Sequence, residues 1–364
     1  MVWSQLTVHL MERISLDEGI ELMENLVKFK VTSMPDFFVD RIVRGSSLET
    51  VMNQISDKMA TGGGSIRNML QMEIRGGNSV NTSYALAKLG VNVELIVVAD
   101  KLSENFLRNT FSGLSNVELS IVNGKPGYTV ALEFPNKKRK VNIMLSDVGD
   151  VSDFGSDKLL TDSWNKINDS DLVAIFNWAS NIKGTELADK VFTTANENNV
   201  ITYFAPADLA ERRVELSALF TILKKNLKIL SLNENEARVL AKALSCEHLP
   251  LEYLSKDIIR AARNLNKRTT IGIDIHTPIG SASAHGEETF FEETYKISQN
   301  NCTGAGDVWD AANIGGYLLA LDPNIRLKLA NAAAGIYVSS KNMEAPSKEQ
   351  LFAFFEGKSE EMDS

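Results

Sequence analysis

The sequence is poor in the residues that build disulfide and metal frameworks. It has two cysteines, Cys246 and Cys302, and four histidines among 364 residues. Two cysteines are too few for a disulfide scaffold, and no group of Cys and His has the spacing of a zinc site. These shortages predict a reduced, intracellular protein whose fold depends on its hydrophobic core.

Positive charge and long apolar runs are also scarce. Lys and Arg number 38 against 47 Asp and Glu, a formal net charge of -9, and the densest basic strip, Lys137 to Lys140, is short. Such a surface repels polyanions, so we expect no nucleic-acid partner. No stretch approaches the roughly 18 apolar residues of a membrane span. We therefore expect a soluble, cytoplasmic protein with no membrane partner.

What the sequence does contain is a regular alternation of apolar, β-branched runs and amphipathic stretches. Hydrophobic residues make up 44% of the chain, enough for a substantial core. Strands that alternate with helices predict a mainly parallel sheet covered by helices on both faces. The expected strands lie at 94–100, 171–177, 200–205, 227–233 and 269–275, and the expected helices near 81–89, 103–112, 184–197, 208–223, 234–244 and 255–266.

Two stretches break this alternation. Residues 118–145 predict three antiparallel strands, with turns at Asn123 and Pro135, and residues 46–75 predict a helix, the turn GGGS and a strand. Together these stretches would form a small lid beside the main sheet.

The domain organisation follows from the same patterns. Ser15 and Glu18 form a capping box that predicts a helix over residues 16–28, ahead of the first strand. We expect a single domain over residues 1–364, in which residues 1–28 are a helical extension and residues 358–364 a frayed tail.

The most informative segment is NNCTGAGDVWDAANIGGYLLAL, residues 300–321. The turn Gly304, Ala305, Gly306 opens an apolar helix, so several backbone N–H groups point at one place where the helix dipole favours an anion. Asp307 follows directly. A carboxylate there either caps the helix or serves as a general base beside a transferring phosphoryl group, and the isolated pattern favours the cap.

A second segment is EIRGGNSVNTSYALAKLG, residues 73–90. Gly76 and Gly77 after a strand let a ligand approach the backbone, and Asn81 begins a helix. The alternative is an ordinary strand-to-helix turn.

A third segment, LSLNENEARVL, ends a strand at Asn233 and begins a helix that contains Glu236. Both side chains would lie at the carboxyl edge of the sheet, where open α/β sheets bind ligands. The alternative is a routine helix cap.

In their order along the chain, 73–90, 230–240 and 300–321, the three segments resemble the ribokinase-like (PfkB) family of carbohydrate and nucleoside kinases, over roughly residues 30–350. The resemblance implies a three-layer α/β/α sandwich with a mainly parallel central sheet and a small β lid. It implies ATP-dependent transfer of the γ-phosphate to a hydroxyl of a small sugar, with ATP and Mg²⁺, and leaves room for a monovalent cation such as K⁺. The alternatives are a nucleoside kinase, which the helical stretch at 48–59 favours, and a catalytically silent sugar- or nucleotide-binding sensor.

The resemblance also assigns roles. It makes Asp307 the catalytic base and makes Gly304, Ala305 and Gly306, with the amide of Asp307, the anion hole for the γ-phosphate. Asp40, in MPDFFVDRIV, matches an Asp at the end of the family's first strand that binds sugar hydroxyls. The other assignments are Gly76, Gly77 and Asn81 to the acceptor, Asn233 and Glu236 to magnesium, and His276, Gly280 and Asn331 to the nucleotide.

Three positions depart from the family pattern. Cys302 stands where Thr, Ser, Pro or Val is usual, Asn313 replaces an apolar residue, and His276 stands near the first glycine of the nucleotide-site turn. These departures motivate the silent sensor, whereas an intact Asp307 favours a working enzyme.

The lid also predicts self-association. The strand YTVALEF is apolar, and an unpaired strand edge either aggregates or finds a partner. Many members of the resembled family join their lids across a two-fold axis. We therefore expect a homodimer formed through residues 118–145, unless the charges of Lys137 to Lys140 keep the edge solvated.

Overall fold

The structure, a computed structural model, describes residues 16–134, 141–298 and 303–357. The strands are β1 Lys30–Met34, β2 Phe38–Arg44, β3 Leu70–Gly76, β4 Asn92–Ala99, β5 Val117–Asn123, β6 Gly127–Phe134, β7 Val141–Asp147, β8 Leu172–Phe176, β9 Ile201–Ala205, β10 Ile229–Asn233, β11 Gly272–Thr277, β12 Gly280–His285 and β13 Glu288–Glu293. The helices are α1 Leu16–Leu22, α2 Leu48–Ala60, α3 Asn78–Lys88, α4 Lys101–Thr110, α5 Thr161–Asn168, α6 Gly184–Glu197, α7 Leu216–Leu223, α8 Glu234–Ala243, α9 Ser255–Thr269, α10 Ala305–Leu318, α11 Pro323–Ser339 and α12 Lys348–Phe355.

Nine strands form the large sheet in the order β13-β12-β11-β10-β9-β8-β1-β4-β5. The seven strands from β11 to β5 run parallel, and β12 and β13 continue the sheet as an antiparallel edge. The mainly parallel sheet expected from the sequence is therefore confirmed. Because parallel strands end on the same side, their carboxyl ends line up along one edge of this sheet.

Apolar residues alternate between the two faces of the central strands. In β4, Leu95 and Val97 pack into one buried core, while Ile96 and Val98 pack into the other. The first core is covered by α3, α4, α10, α11 and α12, and the second by α5 to α9. This arrangement gives the expected three layers. Within the described ranges, every helix is too short or too polar to span a bilayer.

The small sheet has the order β3-β2-β6-β7 and differs from the lid expected from the sequence. The prediction that residues 118–145 form three antiparallel strands is wrong for the first strand. β5 pairs in parallel with β4 at the edge of the large sheet, because Leu119 and Ile121 pack against the main core. β2 takes its place and lies between β3 and β6.

Asp40 also lies elsewhere than expected. The first strand ends at Met34, and Asp40 is in the middle of β2, in the small sheet. Pro35 follows Met34 and has no backbone N–H to continue the ladder of β1, so the chain leaves the large sheet before it reaches Asp40.

Two predicted helices are shorter than expected. The stretch 16–28 divides into α1 and a 3-10 turn over Met23–Lys28. The helix expected over 208–223 begins only at Leu216, because the chain before it forms turns in which Arg212 donates hydrogen bonds to backbone carbonyl oxygens.

Several expectations concern residues outside the described ranges. These are Cys302, the basic strip Lys137 to Lys140, the first 15 residues of the N-terminal extension and the tail at 358–364.

Candidate active site

The first turn of α10 forms the centre of the candidate site. Gly304 precedes the helix with a φ of +84°, in the left-handed region that favours glycine, and a Cβ at this position would lie 2.7 Å from the Tyr337 Oη. Tyr337 donates a hydrogen bond of 2.8 Å to the Thr303 carbonyl oxygen, which fixes the turn from the side of α11. The amides of Ala305 and the residues after it begin the helix, where N–H groups have no intrahelical acceptor. They form a site suited to an anion.

Asp307 lies in this first turn and is only 6% exposed. Its two carboxylate oxygens accept hydrogen bonds from the side-chain amides of Asn78, at 2.7 Å, and Asn81, at 2.9 Å. Burial raises the pKa of Asp307 well above its usual value; the two amide hydrogen bonds oppose this rise, and the charges of Asp310 and Asp36 add to it. Asp307 therefore binds a proton more readily than an exposed aspartate, as a general base requires.

Asn78 was not among the residues assigned from the sequence. It lies one helical turn before Asn81 on α3, and this i, i+3 spacing puts both amides on one face of the helix. The spacing in GGNSVN was the available signal, but only the tertiary structure brings α3 against α10.

Asp36 holds the start of α3 in place. Its carboxylate is fully buried and accepts hydrogen bonds from the backbone amides of Asn78, at 2.8 Å, and Ser79, at 2.9 Å, and from the Asn177 side chain, at 3.0 Å. An acidic group at a helix N-terminus is stabilised by the helix dipole. Asp36 thus orients the helix that carries both partners of Asp307.

Gly76 and Gly77 allow a close approach of the backbone. A Cβ on Gly76 would lie 2.3 Å from the Asp40 carboxylate, and Gly77 has a φ of +93° with the Asp36 carbonyl oxygen 2.7 Å from an ideal Cβ. The two glycines therefore let β2 and the start of α3 pack closely together.

Asp40 and Asn81 line a cavity of about 270 Å³ between the small sheet and the main domain. Burial raises the pKa of Asp40 to about 6, with a lowering contribution from a hydrogen bond with Thr129 and a raising one from the charge of Asp36. The other polar groups of the wall include Arg75 and Glu344. This cavity can hold a small polar molecule beside Asp307.

A second cavity, of about 490 Å³, lies on the other side of the α10 turn. Gly304 lines both cavities, and Asp307 lines the larger one while its partner Asn81 lines the smaller. Asp307 and the amides of the α10 turn therefore lie where the two cavities meet. This geometry suits the transfer of a group between two molecules.

His276 lies in β11 and lines the larger cavity. Its ring is 5.0 Å from that of Trp309, and a Cβ on Gly306 would lie 3.0 Å from its Cε1. Burial lowers the pKa of His276 to about 4, although the charge of Asp274 opposes this. The imidazole is therefore neutral at neutral pH.

Asn331 is one of the residues that line the larger cavity, whereas Gly280 is not among them. Asn331 lines the wall, but its amide oxygen accepts hydrogen bonds from Ser281 and Trp309, and its amide nitrogen donates to two carbonyl oxygens of β13. Gly280 begins β12, and a Cβ there would lie 2.3 Å from the Phe291 ring. Neither nucleotide contact is tested by this geometry, so both stay predictions.

Asn233 and Glu236 form a capping box at the start of α8. The Asn233 side chain accepts from the backbone amides of Asn235 and Glu236, and both carboxylate oxygens of Glu236 accept hydrogen bonds from Asn233. Burial raises the pKa of Glu236 to about 8; the backbone hydrogen bond from Asn233 opposes this rise, and nearby carboxylates, Asp310 first, add to it. Asn233 lines the larger cavity.

Among the described residues, no group of three or more His, Cys, Asp or Glu side chains is placed to hold a metal ion. Mg²⁺ keeps most of its waters and is commonly bound through one or two carboxylates and substrate phosphates. Asn233 and Glu236 suit such a hydrated ion: each Glu236 carboxylate oxygen already accepts one hydrogen bond from Asn233, and the remaining lone pairs can accept from waters of the ion.

Solved structures share this architecture. Adenosine kinase from Sinorhizobium meliloti has a TM-score of 0.66 at 18% identity, over 86% of this chain and 95% of the other. Ribokinase from Cryptococcus neoformans var. grubii serotype A, in complex with ADP, has a TM-score of 0.68 at 17% identity, over 89% and 98%. Ribokinase from Arabidopsis thaliana, complexed with ribose and ATP, has a TM-score of 0.65 at 16% identity, over 89% and 96%. The fold is therefore ribokinase-like.

The sequence itself matches the model of the pfkB family carbohydrate kinases over residues 50–350. The chain belongs to this family, and its fold implies a phosphotransferase. No curated protein matches the chain.

Proposed function

We propose that the protein transfers the γ-phosphoryl group of ATP to a hydroxyl group of a small sugar. The observation that carries the proposal is the position of Asp307, a buried carboxylate beside the α10 amides at the junction of the two cavities. The larger cavity would receive the nucleotide and the smaller one the acceptor. The ATP and ADP complexes of the two ribokinases support the choice of donor.

In this proposal, different residues of the chain accept the proton, stabilise the transferred group and orient the acceptor. Asp307 accepts the proton of the attacking hydroxyl as the new oxygen–phosphorus bond forms and the bond from phosphorus to the departing ADP oxygen breaks. The amides of Ala305 and Gly306 stabilise the negative charge of the transferring group. Asp40 and Asn81 orient vicinal hydroxyls, because a carboxylate accepts hydrogen bonds and an amide can both accept and donate.

Mg²⁺ would be associated with Asn233 and Glu236 through its water shell. When bound with ATP, it neutralises part of the phosphate charge. A monovalent cation such as K⁺ remains part of the proposal only through the resemblance to the family.

The size of the acceptor cavity favours a sugar. Pockets for drug-sized ligands have volumes of about 300 to 1,000 Å³, and the cavity of about 270 Å³ lies just below that range. The second candidate is a nucleoside, supported by helix α2, 13 residues inserted between β2 and β3, and by the likeness to an adenosine kinase.

A panel of sugars and nucleosides, assayed for ADP formation from ATP, tests the proposal. We expect turnover with one or more sugars and none with nucleosides. Phosphate appearing only on nucleosides would favour the second candidate. Calorimetry tests the alternative of a catalytically silent sensor. Tight binding of a panel member with no ADP formed across the whole panel would contradict any kinase function.

We also propose that the protein is a homodimer joined through β6 and β7 of the small sheet. Val130 on β6 pairs with Leu145 on β7, and their side chains are 37% and 57% exposed. Tyr128 and Ile143 lie on the same face of these strands and are also exposed. An exposed apolar sheet face of this kind is suited to a second copy.

Light scattering at micromolar concentration tests the dimer. We expect a dimeric mass for the wild type and a monomeric mass for Val130→Lys, because a charge placed on the shared face is costly to bury. Val130→Thr, which keeps the β-branched shape, is the control and should remain a dimer. A fully active wild-type monomer would contradict the proposal.

A further inference from the structure

A buried carboxylate that the proposed mechanism does not use lies one helical turn after Asp307. Asp310, on α10, is 4% exposed. Its Oδ1 accepts hydrogen bonds from the Tyr203 hydroxyl on β9, at 2.6 Å, and from the Ser231 hydroxyl on β10, at 2.5 Å. Asp310 thus connects the catalytic helix to two central strands.

The hydrogen bonds continue deeper into the protein. The Asn313 side chain donates to the Tyr203 hydroxyl oxygen, at 3.2 Å, and to the Asp274 carboxylate, at 2.8 Å. Asp274 pairs with Arg326 at 3.0 Å, and Arg326 also donates to Asn313. The positive charge of this network therefore lies at the end remote from Asp310.

This network explains the amide at position 313, which departs from the pattern that the resemblance implied. Asn313 is fully buried and joins the Asp310 half of the network to the Asp274 half. An apolar side chain could make neither hydrogen bond. The departure seen in the sequence is therefore matched to Asp310 and Asp274.

Burying the Asp310 carboxylate costs free energy that a purely structural role would not require. Burial raises its pKa to about 7, and hydrogen bonds from Ser231 and Tyr203 compensate only in part. Buried charges are usually paired, and well-packed apolar residues in their place are often as stable or more stable. The neighbours of Asp310 give it hydroxyl donors and no directly bound cation among the described contacts.

We infer that Asp310 is a positioning residue for the transfer: it fixes α10 against β9 and β10 and places a negative charge next to Asp307. The i, i+3 spacing puts the two carboxylates on the same face of α10. This inference rests on the proposed function, because it assigns Asp310 a role toward the proposed base.

The direction of the electrostatic effect follows from the groups around each carboxylate. The charges of Asp310 and Asp36 raise the pKa of Asp307, whereas Asn78 and Asn81 lower it. Removing the charge of Asp310 should therefore lower the pKa of Asp307. The groups that face Asp310 itself are Tyr203, Ser231 and Asp274, with Glu236 on α8 within its electrostatic reach and Arg326 behind Asp274.

The first test compares wild type with Asp310→Asn, which keeps the size of the side chain and removes its charge. We expect the acidic limb of the pH profile of kcat/KM to move to lower pH. The plateau of kcat should fall by up to about tenfold, because a base of lower pKa accepts a proton less readily. The KM for both substrates should stay within about twofold, because Asp310 lines neither cavity.

Glu94→Gln is the matched control. Glu94 is a fully buried carboxylate on β4, paired with Lys166 near the opposite end of the strands. Its removal should affect stability and leave the acidic limb in place. An acidic limb that stays in place in Asp310→Asn as well would overturn the inference.

A second readout does not depend on turnover. In protein labelled with ¹³C at the aspartate carboxyl carbons, the Asp307 signal is assigned by its loss in Asp307→Asn, and its titration midpoint is compared between wild type and Asp310→Asn. A lower midpoint supports the inference even if the wild type turns over no substrate, which would count against the proposed function alone. An unchanged midpoint overturns it. If Asp310→Asn fails to fold, Asp310→Ser, which keeps a hydroxyl for Tyr203, is measured in the same way.

Discussion

The N-termini of α10 and α8 both bring backbone amides to the larger cavity, but side chains cap the amides of α8 and leave those of α10 open. At α8, the side chain of Asn233 occupies the amides of Asn235 and Glu236, and Glu236 bonds back to Asn233. At α10, Gly304 has no side chain to place over the first amides. A helix start closed by its own side chains is a structural cap, whereas one that begins with glycine stays open to a ligand.

The acidic residues of the two helices also differ in where their hydrogen-bond partners come from. Glu236 is held by Asn233, a residue of its own helix start, three positions away. Asp307 is held by Asn78 and Asn81, which come from a helix more than 200 positions earlier in the chain. A local partner makes a cap that any helix can have, whereas partners from a distant element make a site that only the complete fold assembles.

The strongest test of this contrast is Asp307→Asn. We expect kcat to fall by about 10²- to 10⁴-fold with substrate binding retained, because the amide keeps the shape of the carboxylate and loses its basicity. Steady-state kinetics and calorimetry with ATP and the acceptor measure the two effects. A variant that keeps wild-type activity would make Asp307 a cap, like its counterpart on α8.

Closing the open helix start should have the next largest effect. In Gly304→Ala, the new Cβ meets Tyr337 and the left-handed φ becomes unfavourable by about 1 to 2 kcal/mol, so the turn shifts and the amides lose their alignment. We expect kcat/KM to fall about 10²-fold, similar to the loss of one oxyanion-hole donor.

Gly90→Ala is the control for Gly304→Ala. Gly90 also has a positive φ, of +98°, but it follows α3 at the end remote from Asn78, and its Cβ would make ordinary contact with Val27. The control should lose stability and keep kcat/KM. Equal losses of kcat/KM in both variants would mean that strain alone, without the anion site, explains the effect.

Asn78→Ala tests the partners of Asp307. A hydrogen bond to a carboxylate favours its ionised form, so its removal should raise the pKa of Asp307 further and move the acidic limb of the activity profile to higher pH. We expect kcat to fall about tenfold despite the stronger base, because Asp307 loses one of the two hydrogen bonds that orient its carboxylate, and a hydrogen bond to a charged group contributes about 1.5 to 3 kcal/mol. A pH profile identical to that of the wild type would show that Asn78 has no electrostatic role.

The smallest effect is expected at α8. Asn233→Ala should lower the free energy of unfolding by about 1 kcal/mol through loss of the cap, measured by urea denaturation. Because we propose that Asn233 also orders the water shell of Mg²⁺, the Mg²⁺ concentration for half-maximal activity should rise. Asn233→Ser should restore stability but not the Mg²⁺ requirement. If serine restores both, the α8 start is only a cap.

Much of the architecture was predictable because its signals are local. The helix expected at 184–197 has those bounds, and the strands expected at 171–177 and 227–233 correspond to β8 and β10. Periodicity and capping act over a few residues, so they are visible without the fold. β5 was misassigned because its alternating pattern fits either sheet, and only its packing against β4 decides between them.

The candidate site was likewise predictable only where its sequence signals are local. The GAGD turn and the Gly-Gly-x-x-x-Asn segment were recognisable in the sequence, and the structure brings Asp307 and Asn81 within 2.9 Å. Asn78 and Asp310 were missed, because an asparagine at a helix start and an aspartate inside a helix have no distinctive local pattern. Their importance comes from partners on other elements.

The sequence by itself determined the alternation of strands and helices, the glycine turn that opens α10 and the acidic and amide residues available to a site. Backbone propensity and side-chain chemistry are properties of short segments, so these features needed no tertiary contact. Only the tertiary structure decided that Asp307 is buried between two amides of α3, with Asp310 held by β9 and β10 behind it. The proton affinity of a carboxylate depends on its burial and on the charges around it, and these exist only once distant parts of the chain have packed together.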